Sequence, residues 1–172
     1  MKNFPFILIL FMLLTSRLFA AELSENETFK ENEIEQIIIR IHNETLQGKY
    51  ELISVVTLKQ LIDNKEDFVL IDAQPASHYN KGLIDGAKNF EFQGTFTGDW
   101  KTDVKTGTQP EFKALLGDDR NKKIILSCGG LQCKRSHTAA SWAKKLGYNA
   151  VYRMASGIKG WQDAGYPITT NQ

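Results

Sequence analysis

Two short runs of uninterrupted apolar residues constrain the fold of this chain more than any other feature. The first is Phe68–Ile71, closed by Asp72, and the second lies within Lys123–Ser127. Runs of this length without polar alternation are typical of strands buried on both faces of a parallel sheet. Helical patterns flank both runs, so strands and helices alternate along the chain. This alternation predicts an α/β domain with a mostly parallel sheet.

The remaining elements are predicted from caps, stops and apolar spacing. Ser54 is expected to cap a helix that carries Leu58 and Leu61, and Ser136 is expected to cap a helix that ends at Gly147. The other predicted pieces are a short helix and turn over residues 78–86, an extended piece from Lys88, a strand over residues 150–153 and a terminal helix over residues 157–165.

Residues 1–20 have the composition of a secretory signal peptide. Lys2 supplies a positive charge, an apolar run over residues 4–14 follows, and small residues stand at Ala20 and Ala21. The run is too short to span a bilayer as a stable helix. We therefore predict cleavage near Ala20 or Ala21 and a periplasmic or secreted protein with no stable membrane span after cleavage. The alternative is an uncleaved anchor.

Residues 21–48 are predicted to form a helical extension ahead of the main domain, residues 49–172. Ser24–Glu27 fits a capping box, and Gly48 is the expected stop. Isoleucines recur at the spacing of one helix face, at positions 34, 37, 38 and 41. This helix is expected to pack on the domain from outside. The alternative is that it binds a partner protein.

The charge of the chain is nearly balanced, which bears on its partners. There are 21 Lys and Arg residues against 20 Asp and Glu, and loss of Lys2 and Arg17 with the signal leaves 19 basic residues. Nucleic-acid binding requires a clustered basic surface. The sequence therefore predicts no nucleic-acid partner.

One long segment, residues 93–109, has no apolar periodicity. It contains three glycines and five threonines. Long loops inside compact domains are often functional and otherwise simply mobile. We expect either a lid over a substrate or a mobile loop.

The chemistry is expected at a cysteine that follows the second apolar run directly. Cys128 is succeeded by a glycine-rich loop and then by the predicted helix. Loop N–H groups and the positive end of the helix dipole would surround its sulfur, and Lys134 and Arg135 add positive charge. These factors lower the pKa of a thiol and favour the thiolate, the nucleophile of sulfur transfer and disulfide exchange. The alternative is a small core residue.

The rest of the loop is assigned to substrate binding. Gly129 and Gly130 let the backbone approach an anion without a Cβ clash. Asp72, at the end of the first apolar run, is expected to accept backbone N–H bonds and shape the site. The predicted substrate-binding set is Gly129, Gly130, Leu131, Gln132, Lys134, Ser136 and Asp72.

Cys133 is the second of the two cysteines. It is either a solvent-facing bystander or a resolving thiol that attacks an oxidised Cys128 and leaves a Cys128–Cys133 disulfide. Two cysteines and the nearby His137 are one ligand short of a structural zinc site, so no metal and no cofactor are expected. His137 is expected to face solvent or to form a hydrogen bond in the first helical turn.

Three groups of motifs, in order along residues 50–168, resemble the rhodanese superfamily. They comprise residues 69–74, 78–79 and 81–87; residues 124–128, 135–136 and 139–140; and residues 147–148, 151–152, 157–158, 161 and 164–167. The resemblance implies a rhodanese-like α/β fold, in which a five-stranded mostly parallel sheet is flanked by helices and the active loop lies over the strand ends, here with an added N-terminal helix. It also implies that Cys128 carries a persulfide. The candidate catalytic residues are Cys128, Arg135 and, as the resolving thiol, Cys133.

The chain departs from the family pattern at four places. Gln74 stands where the family usually has Arg, Leu83 where it has the His of Gly-His-Ile, and Ser156 where it has the first Gly of Gly-Gly. Six residues separate Cys128 from Arg135, whereas the sulfurtransferase branch commonly has four and the related cell-cycle phosphatases have five. The wider loop is expected to hold a different or larger anion than thiosulfate.

Three functions are consistent with these observations. The first is an exported sulfurtransferase that moves a sulfane sulfur from a small sulfur-containing anion or persulfide donor, through a Cys128 persulfide, to a thiol acceptor. The second is a periplasmic thiol–disulfide or persulfide redox protein that uses Cys128 and Cys133. The third is a non-catalytic rhodanese-fold binding module. Phosphatase action ranks last, because the loop departs from that pattern as well.

Overall fold

The computed structural model describes residues 30–170. The predicted signal peptide, residues 1–20, and the predicted capping box at Ser24–Glu27 lie outside the described residues. Contacts divide the chain after Gln36, and the part from Ile37 onward forms one compact unit. Within residues 30–170 no helix has the length and apolar character needed to cross a membrane.

Seven helices and five strands follow one another along the described residues. The helices are α1 (Glu31–Gly48), α2 (Val55–Asp63), α3 (Ala76–Tyr79), α4 (Trp100–Asp103), α5 (Gln109–Leu116), α6 (Arg135–Lys145) and α7 (Gly157–Asp163). The strands are β1 (Glu51–Leu52), β2 (Phe68–Asp72), β3 (Lys88–Asn89), β4 (Lys123–Ser127) and β5 (Val151–Arg153).

The five strands form one sheet in the order β1-β5-β4-β2-β3, and every neighbouring pair is parallel. Strand β4 is central: Ser127 pairs with Asp72 of β2, and Leu126 pairs with Arg153 of β5. The predicted five-stranded α/β fold is therefore confirmed. Because the strands are parallel, the carboxyl ends of β2, β4 and β5 meet at one edge of the sheet, where ligands of such folds bind.

The two apolar runs form the middle of this sheet because both of their faces are buried. Alternate residues enter different clusters: Leu126 lies in the cluster that contains Cys128, whereas Ile125 lies in the cluster that contains Trp161. All three residues before Ser127 are fully buried, which leaves no polar face for β4. Their burial fixes the position of the residue that follows the strand.

The predicted helix boundaries at Ser54 and Gly48 are confirmed. The Ser54 hydroxyl accepts the Thr57 N–H at 3.0 Å and caps α2, and α1 ends at Gly48. The prediction that Ser136 caps α6 is wrong. The helix begins one residue earlier, at Arg135, and the Ser136 side chain is buried inside its first turn.

The packed face of α1 differs from the predicted isoleucine stripe. Ile37 is buried, but Ile34 and Ile38 are 39% and 61% exposed. The buried positions are Ile37, Glu44 and Gly48, at the same helical spacing but with a carboxylate in the middle. The helix therefore packs in part through a charged residue, whose partner is described below.

Residues 93–109 are more ordered than their composition predicts. They include α4, and the buried Asp103 carboxylate accepts the backbone N–H groups of Thr97 and Gly98 at 2.8 and 2.9 Å. The indole N–H of Trp142 in α6 donates to the same carboxylate at 3.0 Å. These bonds tie the segment to the domain. Its role as a lid stays a prediction.

Candidate active site

Cys128 lies where the central strand ends, and its side chain is fully buried. It belongs to a cluster with strand residues such as Leu126 and with Ala139 and Ala140 of α6. Its sulfur is joined in a disulfide to Cys133, and the two Cα atoms are 6.3 Å apart. Cys133 is half-buried. The pairing that the sequence left open is thus formed, and Cys133 is the more exposed residue of the two.

Two polar groups lie close to the buried sulfur. The Ser136 hydroxyl oxygen is 3.5 Å and the Cys133 carbonyl oxygen 3.3 Å from Cys128 Sγ. Ser136 therefore reaches the predicted site through its side chain and not as a helix cap. The predicted ring of loop amides concerns the reduced loop, and it stays a prediction.

The first half of the loop is fixed by helix α7. The Ile158 N–H donates to the Cys128 carbonyl at 2.8 Å, and the Lys159 N–H donates to the Gly129 carbonyl at 3.0 Å. Gly157, which starts α7, has a φ of +62°, and a Cβ atom on it would overlap the Cys128 carbonyl oxygen. Only glycine combines this backbone conformation with so close an approach.

The second half of the loop is held by two arginines. Arg40 of α1 donates to the Leu131 carbonyl at 2.6 Å, and Arg153 at the end of β5 donates to the Cys133 carbonyl at 3.2 Å. Both contacts join residues far apart in the sequence. The conformation of the loop thus depends on α1 as well as on the sheet.

Arg153 is fully buried and hydrogen-bonded on every side. Besides the Cys133 carbonyl, it donates to the Ser136 hydroxyl through Nε at 2.9 Å, to the Glu44 carboxylate at 2.6 Å and to the Tyr50 hydroxyl at 3.1 Å. Glu44 also pairs with Arg40 at 3.0 Å. Sequence reasoning missed this residue and assigned it only to a strand.

The titration of Glu44 reflects this pairing. Burial alone would raise the pKa of its carboxyl, but the hydrogen bonds and charges of Arg153 and Arg40 outweigh burial and hold that pKa below its ordinary value. A signal for the pair was present in the sequence. Glu44 lies seven residues after the buried Ile37, on the same face of α1, and a carboxylate on a packed helix face requires a cationic partner.

His137 is buried beside this network, so the predicted exposure to solvent is wrong. Its Nδ1 atom lies 2.9 Å from the Tyr50 hydroxyl. Because Tyr50 accepts a bond from Arg153, donation of its own proton to an unprotonated Nδ1 would satisfy both groups. Burial lowers the pKa of His137 to about 4. The ring thus contributes no positive charge at neutral pH.

The end of β2 lies on the other side of Cys128. The Asp72 carboxylate accepts the backbone N–H of Gln74 at 2.9 Å and its side-chain amide at 3.0 Å. The side chain of Asn89 donates to the carbonyls of Asp72 and Gln74. Burial raises the pKa of Asp72 although the bonds from Gln74 oppose this shift. Asp72 therefore accepts a backbone N–H bond at this edge, and its part in a substrate site stays a prediction.

The other predicted site residues lie around the mouth of the loop. Leu131, Gln132 and Lys134 are exposed, whereas Arg135 is half-buried and its Nε atom has no hydrogen-bond partner among the described residues. A Cβ at Gly129 would lie 3.1 Å from the Gln74 amide oxygen, so this part of the loop faces β2. Among residues 30–170, no cluster of three or more metal-ligating side chains is present.

Comparison with known proteins identifies the family. A Rhodanese-like domain model matches residues 54–164. The uncharacterized protein YibN of Escherichia coli strain K12 is 26% identical over 125 residues, which cover 72% of this chain and 76% of YibN.

Two solved structures share the fold. Thiosulfate sulfurtransferase from Pseudomonas aeruginosa has a TM-score of 0.57 at 20% identity, over 74% of this chain and 22% of that one. The polysulfide-sulfur transferase homodimer from Wolinella succinogenes has a TM-score of 0.54 at 17% identity, over 77% of this chain and 85% of that one. With a sheet, a cysteine loop and a family model that agree, the chain belongs to the rhodanese-like domain family.

Proposed function

We propose that this protein is an exported sulfurtransferase in which Cys128 carries the transferred sulfur as a persulfide. The observation that carries the proposal is the place of Cys128: it follows the central strand of a rhodanese-like domain, next to the Ser136 hydroxyl, which is bound by a buried guanidinium. Export rests on the composition of residues 1–20.

The reaction begins from the reduced loop. The Cys128 thiolate attacks the terminal sulfur of a donor such as thiosulfate, a polysulfide or a thiol persulfide, and the remainder of the donor leaves with the bonding electron pair. An acceptor thiolate then attacks the outer sulfur of the persulfide. This step releases a new persulfide and returns the Cys128 thiolate, so no external oxidant or reductant is consumed.

The test is sulfur loading of the reduced protein, followed by intact mass spectrometry. Cys133→Ser, which retains Cys128 as its single cysteine, is expected to gain one sulfur atom from at least one of thiosulfate, polysulfide and glutathione persulfide. Cys128→Ser, the matched control, is expected to gain none at position 133. Absence of an adduct on Cys133→Ser with all three donors would reject the proposal and favour a binding module.

The disulfide favours a second candidate function, a persulfide-linked redox cycle. The Cys133 thiolate would attack the inner sulfur of the Cys128 persulfide, form the observed disulfide and release hydrosulfide. An external dithiol would then reduce the disulfide. Loading distinguishes the two functions: a redox cycle predicts that the wild type releases sulfide and becomes oxidised while Cys133→Ser keeps its adduct. Equal adducts in both proteins favour simple transfer.

A further inference from the structure

Arg153 is buried, and it donates to the hydroxyl that lies beside Cys128. We propose that Arg153 is a positioning residue which, through the hydroxyl of Ser136, stabilises the anionic form of the Cys128 sulfur, and that Glu44 of α1 limits this effect. This proposal rests on the proposed function in one respect only, namely that the Cys128 thiolate is used in sulfur transfer.

The Ser136 hydroxyl lies between Arg153 and Cys128. The Arg153 Nε–H donates to the Ser136 oxygen at 2.9 Å, so this oxygen is an acceptor on that side. Its own proton is then available to the neighbour on the other side, Cys128 Sγ, at 3.5 Å. A hydroxyl polarised by a cation is a stronger donor, and donation to a charged sulfur favours its anionic form.

The loop around Cys128 is held in place by two arginines. Arg153 also donates to the Cys133 carbonyl, and Arg40 donates to the Leu131 carbonyl. Two carbonyls of the loop are thus turned toward arginines that share the Glu44 carboxylate. The side chain of Ser136 is buried and held by the same guanidinium. Because the donor is locked before the sulfur ionises, its orientation does not have to be reached during the reaction.

The positive charge of Arg153 is offset by a neighbouring carboxylate. The charged and titratable side chains that Arg153 contacts are Glu44 and Tyr50, which in turn contact Arg40 and His137. His137 is neutral at pH 7, and the Tyr50 hydroxyl is protonated because burial raises its pKa. Glu44 is therefore the negative charge that offsets Arg153. Its removal is expected to strengthen the effect of Arg153 on the sulfur, whereas removal of Ser136 is expected to weaken it.

The experiment measures the pKa of Cys128 in the full chain carrying Cys133→Ser, where no disulfide forms. The ultraviolet absorbance of the thiolate is followed as a function of pH, and circular dichroism at each pH shows that the protein stays folded. This readout does not depend on sulfur transfer. A protein that fails to load sulfur but shows the expected shifts would reject the proposed function and leave the positioning role intact.

Ser136→Ala is the first variant. Loss of a hydrogen bond to a charged group is expected to raise the Cys128 pKa by about one to two units. Ser141→Ala is the matched control, because Ser141 is a buried serine of the same helix whose hydroxyl donates to the His137 carbonyl at 2.9 Å. Equal pKa values in the two variants would overturn the proposal.

Glu44→Gln is the second variant, and its expected shift has the opposite sign. Removal of the offsetting charge is expected to lower the Cys128 pKa by about half a unit to one unit. Asp63→Asn is the matched control, because Asp63 pairs with Lys59 at the same i,i+4 spacing as Glu44 with Arg40. Unlike Glu44, which is buried and also pairs with Arg153, Asp63 is exposed. If Ser136 and Glu44 only maintained the structure, Ser136→Ala and Glu44→Gln would shift the Cys128 pKa in the same direction. Shifts of the same sign in these two variants would therefore overturn the proposal.

Arg153→Lys provides a third measurement. It keeps the charge but lacks the Nε–H that reaches Ser136. The Cys128 pKa is expected to rise, though less than in Ser136→Ala. A pKa equal to that of the parent protein would show that the guanidinium does not act through the hydroxyl.

Discussion

The strands on either side of β4 end against the same loop but present opposite chemistry to it. At the end of β2, Asp72 is bound by the neutral amide of Gln74. At the end of β5, Arg153 is bound by the carboxylate of Glu44. One side is a buried carboxyl whose pKa is raised by burial. The other is a buried cation with a paired anion.

The two strand ends also differ in whether they carry a positive charge. The family resemblance leads one to expect an arginine at position 74, and this chain has glutamine there. The buried cation is found instead two strands away in the sheet order, at position 153. Position 74 borders the loop at Gly129, and Arg153 contacts it at the Cys133 carbonyl.

The largest expected effect on stability comes from breaking the Arg153–Glu44 pair at the end of β5, the charged side of the loop. Arg153→Met is expected to lower the free energy of unfolding by about 3 to 5 kcal/mol, because Glu44 is left buried without its main partner. Urea unfolding followed by circular dichroism measures the loss. The double variant Arg153→Met/Glu44→Met is expected to recover most of it, since both charges are then absent. A double variant as unstable as the single one would contradict this account.

An intermediate effect is expected from pH, again on the charged side. The pKa of His137 is about 4 in the folded protein and about 6.5 when unfolded. The folded value is the lower one, so stability is fully present above pH 6.5 and declines as pH falls toward 4. Between pH 7 and 5 the free energy of unfolding should fall by about 2 kcal/mol.

Two controls isolate this contribution. His137→Gln is expected to lose the decline in stability between pH 7 and 5, whereas His42→Gln, which changes an exposed histidine of α1, is expected to keep it. Asp72 contributes with the opposite sign, because its pKa is raised on folding. The urea curves are therefore repeated with Asp72→Asn, which should steepen the decline. If the free energy of unfolding of His137→Gln fell with pH as in the wild type, the pH dependence would come from groups other than His137.

The smallest effect is expected on the neutral side. Gln74→Leu removes the side-chain N–H bond to Asp72 while the backbone bond remains. The expected loss is about 1.5 kcal/mol, the contribution of one hydrogen bond to a charged group, measured by the same urea unfolding. A loss as large as that of Arg153→Met would show that the two strand ends are not as different as their contacts indicate.

The parts of the fold that depend on local pattern could be predicted from the sequence. β2 and β4 are continuous apolar runs, and Ser54 caps a helix through a contact three residues away. The position of Cys128 follows from the end of β4. Each of these features depends on residues close together in the chain, which is the range that periodicity and capping rules describe.

The contacts that complete the site could not be predicted in this way. Arg153 and Glu44 are 109 residues apart in sequence, and Arg40 and Leu131 are 91 apart. Ser136 was expected at a helix cap because its residue type favours caps, but Arg153 holds its hydroxyl inside the domain. The tertiary contact overrides the local preference. Local patterns in one sequence do not predict which distant residues are in contact.

Gly157 has a consequence for how this protein tolerates change. It brings no functional group, yet its backbone meets the carbonyl of Cys128 where any side chain would collide. A methyl group there would push apart the first turn of α7 and the segment that presents the sulfur. Replacing a single hydrogen of Gly157 with a methyl group can thus displace Cys128, which lies 29 residues earlier in the chain.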